Sequence, residues 1–296
     1  MNIWVRRGAW TFATIVVAAI AAAATMVGLG ERKLDRRIDV AVEPIAVRSD
    51  AAAVERGRYL FMSRGCGDCH APNGAGRVMI DGGGMFVRTA NITPAKGSAV
   101  DGYTSADWVR TIRHGVKRDR RAAMVMPSEE YNRLVDDDVA AIVAFASQLP
   151  PVVGPSTEIR LPLPVKALYG AGMIPDASEK IDHSLPPGQP VPEGVNDAHG
   201  AYVANACVGC HGAKLVGGKI PGAPPDWPAA ARLAPGPGSA LDRYPSEAQF
   251  AAMLKTGKRP DGSTVSPVMP FMALKELNDV DVRALYLHLK SLPMPS

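Results

Sequence analysis

Cys66-Gly67-Asp68-Cys69-His70 recurs later in the chain as Cys207-Val208-Gly209-Cys210-His211, and this repeat is the strongest structural signal in the sequence. The two stretches repeat one five-residue pattern and contain all four cysteines of the 296-residue sequence. Cys-x-x-Cys-His is the attachment sequence of c-type haem, in which the two thiols form thioethers with the haem vinyl groups and the histidine is the proximal iron ligand. The sequence therefore predicts two covalently bound haem c groups, attached through Cys66, Cys69, Cys207 and Cys210, with His70 and His211 on the two irons.

Other uses of these cysteines fit the sequence less well. A four-cysteine zinc site would combine the two pairs, but zinc ribbons separate their pairs by roughly 15–20 residues, and the gap here is many times longer. Such a zinc site would also leave the histidine after each pair unexplained. A thioredoxin-like Cys-x-x-Cys requires a surrounding strand–helix–strand pattern, which the sequence lacks. A disulfide within either motif would close a very tight loop.

Length and charge set broad limits. A chain of 296 residues corresponds to about two domains of ~150 residues each. The formal net charge of +4 is small, so composition offers no argument for a nucleic-acid partner.

The N-terminal stretch from Gly8 to Gly30 carries no charge and consists mostly of alanine, valine and isoleucine. A secretory signal has an apolar region of ~7–15 residues, whereas a membrane-spanning helix needs about 20. We therefore predict that residues 1–40 form a short cytoplasmic tail and a transmembrane anchor. The small residues from Ala21 to Ala24 leave a cleavable signal peptide as the alternative. Basic residues flank the stretch on both sides, so the positive-inside rule alone does not orient it.

The remainder of the chain is an internal repeat. Gly57-Arg58-Tyr59 precedes the first haem motif as Gly200-Ala201-Tyr202 precedes the second, and Leu134 to Pro150 runs parallel to Leu277 to Pro293 without insertion or deletion. We call this alignment of the two copies the repeat register. Two haem domains are expected at residues 45–150 and 194–296. Residues 151–193 between them are rich in proline and form either a spacer or a strap that fixes the distance between the haems.

The sequence predicts three short helices separated by loops in each copy, and it contains almost no pattern typical of β-strands. The fold is therefore expected to be all-α, with an N-terminal transmembrane helix followed by two haem domains. Gly115 ends the second helix of the first copy, and a short helical turn is expected around Val165 to Tyr169. Gly82-Gly83-Gly84 and Gly217-Gly218 are expected as turns that let the backbone approach the haem edge. Helix caps are predicted at Asp50, Thr104 (with Asp107), Asp136, Asn196, Ser246 and Asn278.

The sixth iron ligand is expected to be methionine in both copies. Met126 and Met269 are equivalent in the repeat register, and each precedes a proline. Met124 and Met272 do not recur in the other copy. Met/His ligation leaves no coordination position of the iron open and raises the reduction potential of the haem. The alternative is that these methionines only fill gaps in the core. Bis-histidine ligation is the weaker case, because none of the four remaining histidines recurs: His114, His183, His199 and His288.

A basic stretch precedes Met126. It either neutralises a haem propionate or docks an acidic partner, or it is a solvated loop and helix face. Its members are Arg110, Arg113, Lys117, Arg118, Arg120 and Arg121.

The Cys-x-x-Cys-His motifs, the Met-Pro pairs and the terminal pattern from Asp279-Val280-Asp281 to Pro293 resemble class I cytochrome c domains. The part from about Ile45 to Pro293 is similar to membrane-anchored multihaem cytochrome subunits of bacterial alcohol, gluconate and aldehyde dehydrogenases. These subunits typically carry three haem motifs, and this chain has two.

That resemblance implies a dihaem electron-transfer subunit rather than an enzyme. Its partners would be a dehydrogenase catalytic subunit and, downstream, quinone, a cytochrome or an oxidase. Because cytochromes c receive their haem outside the cytoplasm, the resemblance implies an inner-membrane anchor with both haem domains in the periplasm.

Two alternatives stay open. One is a dihaem enzyme, such as a peroxidase or a thiosulfate-oxidising cytochrome, although no recognisable acid/base pair accompanies either motif. The other is the haem c subunit of a terminal oxidase, which also combines an anchor with two haem domains.

Overall fold

The computed structural model describes residues 3–155, 157–220, 223–224 and 226–294, so the outer bounds of the predicted first and last segments, residues 1 and 296, lie outside it. The first element is a long helix, α1 (Ile3–Asp35). It is long and apolar enough to cross a membrane, and the rest of the described chain does not bury its most apolar part. An N-terminal signal sequence would meet the same criterion.

The first helical unit follows α1. Its core is formed mainly by α2 and α6, which pack along their length around Leu60, Phe61, Val139 and Ile142. The helices are α2 (Ala51–Ser63), α3 (Cys66–His70), α4 (Ser105–His114), α5 (Ser128–Tyr131) and α6 (Asp136–Ser147).

The second helical unit repeats this order. Here α8 and α12 pack against each other around Val203, Val282, Leu285 and Leu289. The helices are α8 (Asp197–Ala204), α9 (Val208–His211), α10 (Glu247–Thr256), α11 (Phe271–Leu274) and α12 (Asp279–Ser291), with 3-10 turns at Asn205–Cys207 and Ala240–Arg243.

The glycine of the repeated Gly-x-Tyr motif sets the close approach of these helix pairs. A Cβ atom at Gly57 would lie 1.9 Å from the carbonyl oxygen of Ala141, and one at Gly200 would lie 2.1 Å from that of Ala284. Any side chain at either position would push the helices apart. The duplication predicted from sequence is therefore present in the packing as well.

Five of the six predicted helix caps are confirmed. The side chains of Asp50, Thr104, Asn196, Ser246 and Asn278 each accept a hydrogen bond from a backbone amide in the first helical turn. Gly115 ends α4 with φ of 62°.

The prediction for Asp136 is wrong. Val135 precedes the first helical residue and occupies the position that Asn278 has in the second unit. Because valine has no polar side-chain atom, the described start of α6 has no side-chain cap. Asp136 instead forms an ion pair of 2.7 Å with Arg113.

The mostly helical architecture is confirmed, with one addition. A small antiparallel sheet is formed by three strands, β1 (Val78–Gly82), β2 (Met85–Arg88) and β3 (Glu158–Arg160). The β1–β2 hairpin turns at Gly83 and Gly84, whose φ angles are 58° and 78°. Such left-handed pairs suit a two-residue hairpin turn, for which glycine has no steric cost.

The segment between the two units is folded onto the first unit and α1. It supplies β3, then α7 (Leu163–Gly170), which packs against α1, and then a 3-10 turn at Ala177–Lys180 that contacts α5. The helical turn expected around Val165 to Tyr169 is confirmed by α7.

The two helical units meet through reciprocal hydrogen bonds. The hydroxyl of Tyr59 donates to Asp281 at 2.7 Å, and the hydroxyl of Tyr202 donates to Asp138 at 2.7 Å. Each tyrosine oxygen also accepts a bond of 3.3 Å from the backbone amide at the start of the other unit's last helix, Asn278 or Val135. Both pairs are equivalent in the repeat register, so the units contact each other with approximate two-fold symmetry.

Candidate haem sites

The first haem motif borders a mostly apolar cavity. Its lining includes Cys66, Cys69 and His70 of the motif, together with Met126 and Pro127. The walls are largely apolar and include Phe61, Ile92, Val100, Trp108, Ile112 and Ile142. Such a cavity excludes water from a bound ligand while leaving a few polar atoms to orient it.

All four cysteines belong to the described residues and none is in a disulfide, so all four sulfurs are free for thioether formation. Burial raises the pKa of the Cys66 thiol to about 12 and that of the Cys207 thiol to about 12. Burial also raises the pKa of Cys69 and Cys210. The motif cysteines are thus neutral thiols in an apolar setting in this chain.

The histidines of the two motifs are held in the same way. Nδ1 of His70 lies 2.8 Å from the carbonyl oxygen of Ala90, and Nδ1 of His211 lies 2.7 Å from that of Ala231. A proton on Nδ1 leaves Nε2 with its lone pair for a metal ion, which is how protein surroundings orient a ligating histidine. Burial lowers the pKa of both rings and favours this neutral form.

Sequence reasoning missed these two carbonyl groups. Ala90 and Ala231 follow their motif histidines at the same distance along the chain, so the repeat contained the signal. It was weak, because a backbone carbonyl has no residue type of its own.

A glycine after each motif brings this carbonyl segment close. The amide of Gly76 donates to the carbonyl of His70 at 2.8 Å, and the amide of Gly217 donates to that of His211 at 2.9 Å. Their φ angles are 74° and 72°. A Cβ atom at Gly76 would lie 2.5 Å from the carbonyl oxygen of Thr89, and one at Gly217 would lie 2.3 Å from that of Ala230. The structure agrees with the expected turn at Gly217 and adds Gly76 as its counterpart.

The two Met-Pro pairs have one backbone geometry. Pro127 has φ and ψ of −80° and 61°, and Pro270 has −78° and 65°. In both places the residue after the proline donates to the methionine carbonyl, at 2.9 Å for Met126 and 2.8 Å for Met269. Each pair leads into a one-turn helix, α5 or α11. The repeated local structure supports Met126 and Met269 as an equivalent pair.

The competing residues are placed differently. Met124 lines the same cavity as Met126, whereas Met272 is an exposed residue close to Lys275. The other histidines have polar partners outside this cavity. His114 and His183 contact each other through their Nδ1 atoms at 3.0 Å, His199 bonds Asp281, and His288 bonds Asp197.

The residues present fit haem c. Each motif offers two free thiols and a neutral histidine with an available Nε2, and the first motif borders an apolar cavity with a methionine on its wall. Thioether-forming thiols with nitrogen and sulfur donors are the ligand set of a c-type haem.

The basic stretch is neutralised within the chain. Asp107 pairs with Arg110 and Arg118, and Asp136 pairs with Arg113. Arg121 pairs with Asp35 at the end of α1, and Arg120 pairs with Asp39. The stretch therefore connects the first unit to α1, a role that sequence analysis did not include.

The two motif segments lie at the contact between the helical units. α5 of the first unit packs against α9, and α11 of the second unit packs against α3. Glu130 of α5 lies so close to Gly209 that a Cβ there would be 2.3 Å from the carboxylate. Burial and the neighbouring Glu129 raise the pKa of Glu130 to about 8, opposed by Lys180. In the repeat register, Ala273 occupies the equivalent place on α11.

Comparison with known families agrees with this geometry. Residues 52–145 match the family described as cytochrome c oxidase, cbb3-type, subunit III, and residues 196–293 match the cytochrome c family. The chain thus carries two cytochrome c domains, each containing one of the Cys-x-x-Cys-His motifs.

Three curated proteins similar to this chain are cytochrome subunits of dehydrogenases. The chain is 27% identical over 282 residues to the fructose dehydrogenase cytochrome subunit of Gluconobacter japonicus, covering 85% of this chain and 55% of that protein. It is 27% identical over 274 residues to the cytochrome c subunit of alcohol dehydrogenase (quinone) of Gluconobacter oxydans (strain 621H), covering 83% and 56%. It is 29% identical over 125 residues to the gluconate 2-dehydrogenase cytochrome c subunit of Pantoea cypripedii, covering 40% and 28%.

The chain is therefore homologous to cytochrome c subunits of dehydrogenases and spans about half the length of the first two of these curated relatives.

Proposed function

We propose that this chain is a membrane-anchored dihaem electron-transfer subunit. It would take electrons from a periplasmic dehydrogenase and pass them to quinone or the respiratory chain, with residues 1–40 as anchor, 45–150 and 194–296 as haem domains and 151–193 as linker. The relatives named as dehydrogenase cytochrome subunits support this assignment. α1, which has the length and composition of a membrane span, supports the anchor and the inner-membrane location.

One observation carries the proposal. Each haem motif lies at the contact between the units, under the one-turn helix that follows the other unit's Met-Pro pair. Two haems attached there would be close neighbours. A chain built in this way suits transfer of charge between two centres.

The proposed ligand roles follow from the side chains. The carbonyls of Ala90 and Ala231 hold the protons on Nδ1, which leaves Nε2 of His70 and of His211 to hold the iron when haem is bound. Met126 and Met269 would supply the sulfur ligands. Haem c held by these donors would supply a one-electron couple. The apolar wall of the first cavity limits the entry of water.

Haem content and ligation can be tested together. We expect two haems per chain by mass, and one in a C207S/C210S variant. The ferric protein should show the weak methionine-to-iron charge-transfer band from both haems. M126L and M269L should each remove about half of its intensity, whereas M272L, which replaces an exposed methionine, should leave it unchanged.

The M124L variant separates the two methionines that line the first cavity. Half the band lost in M124L and none lost in M126L would overturn the assignment of Met126. Absence of the band in the unmodified protein would overturn methionine ligation altogether.

The partner is tested by mild detergent extraction of membranes, followed by purification through a tag on this chain. A dehydrogenase catalytic subunit that co-purifies, and reduces both haems when given its substrate, supports the proposal. Recovery of the chain in the soluble periplasmic fraction would overturn the anchor and favour a cleaved signal peptide.

A second candidate, the haem c subunit of a terminal oxidase, is favoured by the family match of residues 52–145. In that case an oxidase subunit would co-purify, and reduced haem would be oxidised by oxygen within the purified complex.

A further inference from the structure

The linker helix α7 and the three residues after it expose an apolar face that the electron-transfer role does not use. Leu163, Leu168 and Met173 are 64%, 39% and 69% exposed. From Leu163 to Ile174 the only charged residue is Lys166, which pairs with Glu31 of α1. We call the surface formed by Leu163, Leu168 and Met173 the α7 face. Exposing several large apolar side chains together on one surface is unfavourable in water.

α7 is fixed to α1 by a crossing of two glycines. A Cβ atom at Gly30 would lie 2.3 Å from the carbonyl oxygen of Lys166, and one at Gly170 would lie 2.1 Å from that of Met26. Close approach of helices through small residues is a common way of packing helices in membranes. The crossing involves the last turn of the uncharged stretch of α1.

The depth of this crossing follows from helix geometry. At ~1.5 Å per residue, the uncharged stretch from Gly8 to Gly30 spans about 33 Å, close to the ~30 Å hydrocarbon core of a bilayer. With α1 as the proposed span, Met26 and Gly30 would lie at one edge of that core. α7, which contacts both residues, lies at the same level.

Polar contacts hold α7 rigidly on its other side. Lys33 donates to the carbonyl of Tyr169 at 3.2 Å and pairs with Glu179 at 2.7 Å. The hydroxyl of Tyr169 donates to the buried Asp176 at 2.7 Å, and Asp176 pairs with Arg36 at 2.8 Å. Charged partners thus lie beyond the end of the uncharged stretch, while the three side chains of the α7 face are all apolar.

We propose that the α7 face lies in the interfacial region of the membrane leaflet next to Gly30, as a second membrane contact beside α1. The occupant of this face is lipid rather than a protein subunit, because the face is continuous with the uncharged end of α1 and has the apolar composition of an interfacial helix. The inference rests on the proposed anchoring by α1. Together the two contacts would fix the orientation of the first haem domain relative to the bilayer.

The test uses the full-length holoprotein in vesicles that contain a phospholipid with a photoactivatable group near the top of its acyl chain. After illumination, lipid adducts are located by tryptic digestion and mass spectrometry. Cleavage after Lys166 and Lys180 isolates residues 167–180, which contain Leu168 and Met173. We expect adducts on this peptide and on α1.

The matched variants are L163Q/L168Q/M173Q and V153Q. The triple variant should reduce adducts on residues 167–180 at least about fivefold, because three apolar side chains no longer favour the acyl region. V153Q replaces an exposed apolar residue outside the face and should change nothing. An unchanged haem spectrum shows that the triple variant is folded.

The outcomes are distinguishable. Adducts on α1 without adducts on residues 167–180 would overturn this inference and leave the anchor intact. No adducts on either would overturn both. Adducts on residues 167–180 that appear only after partner subunits are removed would assign a protein to this face and also overturn the inference.

Discussion

Arg56 and His199 occupy equivalent positions of the repeat register, and each bonds the buried aspartate of its own unit. Nε of Arg56 donates to Asp138 at 3.1 Å, and Nε2 of His199 lies 2.8 Å from Asp281. The second unit's aspartate also receives a bond of 2.7 Å from Arg64 of the first unit. The two tyrosine–aspartate bonds across the contact are therefore equivalent, whereas the charged partners of the two aspartates differ.

We expect D281N to reduce the free energy of unfolding by about 3–5 kcal/mol, because it leaves the Arg64 guanidinium buried without an anionic partner. The Arg64 side chain is 4% exposed. D138N is the matched control with a smaller effect, since Arg56 is 30% exposed and also pairs with Glu193. Denaturant unfolding of the holoprotein measures both, and equal losses would contradict this explanation.

The reciprocal tyrosines should couple the two units. Each of Y59F and Y202F removes a hydrogen bond to a carboxylate in the other unit, at a cost of about 1–2 kcal/mol. The double variant should separate calorimetric unfolding into two transitions. Y286F removes a bond of 2.9 Å to Tyr244 within the second unit and should lower stability without separating the transitions. A single transition in the double variant would argue against coupling at this contact.

The glycines beside the motif histidines should be needed for ligand orientation. In G76A and G217A the new methyl group meets a backbone carbonyl next to Ala90 or Ala231, so the bond to His70 or His211 is disturbed. We expect each variant to shift the potential of one haem or lower its incorporation. G97A is the control, because Gly97 has φ of 79° and open space around it among the described residues. If G97A and G76A behave alike, backbone strain alone is responsible.

His114 should make the fold sensitive to acid. Burial, His183 and Arg113 lower the pKa of His114 to about 4. The folded chain holds this ring neutral while the unfolded chain protonates it near pH 6.5. Stability from this group is therefore fully present above about pH 6.5 and is lost as pH falls towards 4, by about 1–3 kcal/mol.

The measurement is the unfolding midpoint as a function of pH. H114Q should flatten the curve between pH 4 and about 6.5, and H183Q should flatten it in part by removing one cause of the lowered pKa. An unchanged slope in H114Q would assign the acid sensitivity to other groups.

The crossing of α1 and α7 predicts a sharp difference between two nearby glycines. G30L should displace α7, because the carbonyl of Lys166 occupies the space of the new side chain. G28L should be tolerated, since, apart from the adjoining residues and backbone of α1 itself, no described atom lies within 4 Å of a Cβ at that position. Proteolysis of the linker in detergent should become several-fold faster in G30L only. Equal rates in the two variants would contradict the crossing.

Local signals were sufficient for most of the helices. Capping residues such as Asp50, Ser246 and Asn278 act within one turn, so the sequence around them determines the helix start. The cap predicted at Asp136 was wrong because three consecutive aspartates begin α6, and any of them resembles a capping residue. The true equivalent of Asn278 is Val135, which has no capping side chain. Comparison of the two copies in the repeat register contained this information.

Long-range features were not predictable in the same way. β2 pairs with β3, Phe86 with Arg160, although the strands lie far apart in the chain, and strands this short carry little periodic signal. The repeat identified Tyr59 and Tyr202 as equivalent, but that each bonds the other unit's aspartate depends on how the units associate. The motifs, by contrast, predict His70 and His211 as iron ligands by residue type alone.

The packing of α5 on α9 and of α11 on α3 gives the two haem motifs a common cover. Any motion that parts the units uncovers both motif segments together, because each is shielded by the opposite unit. Loss of this contact would therefore increase the access of water to both motif segments at once.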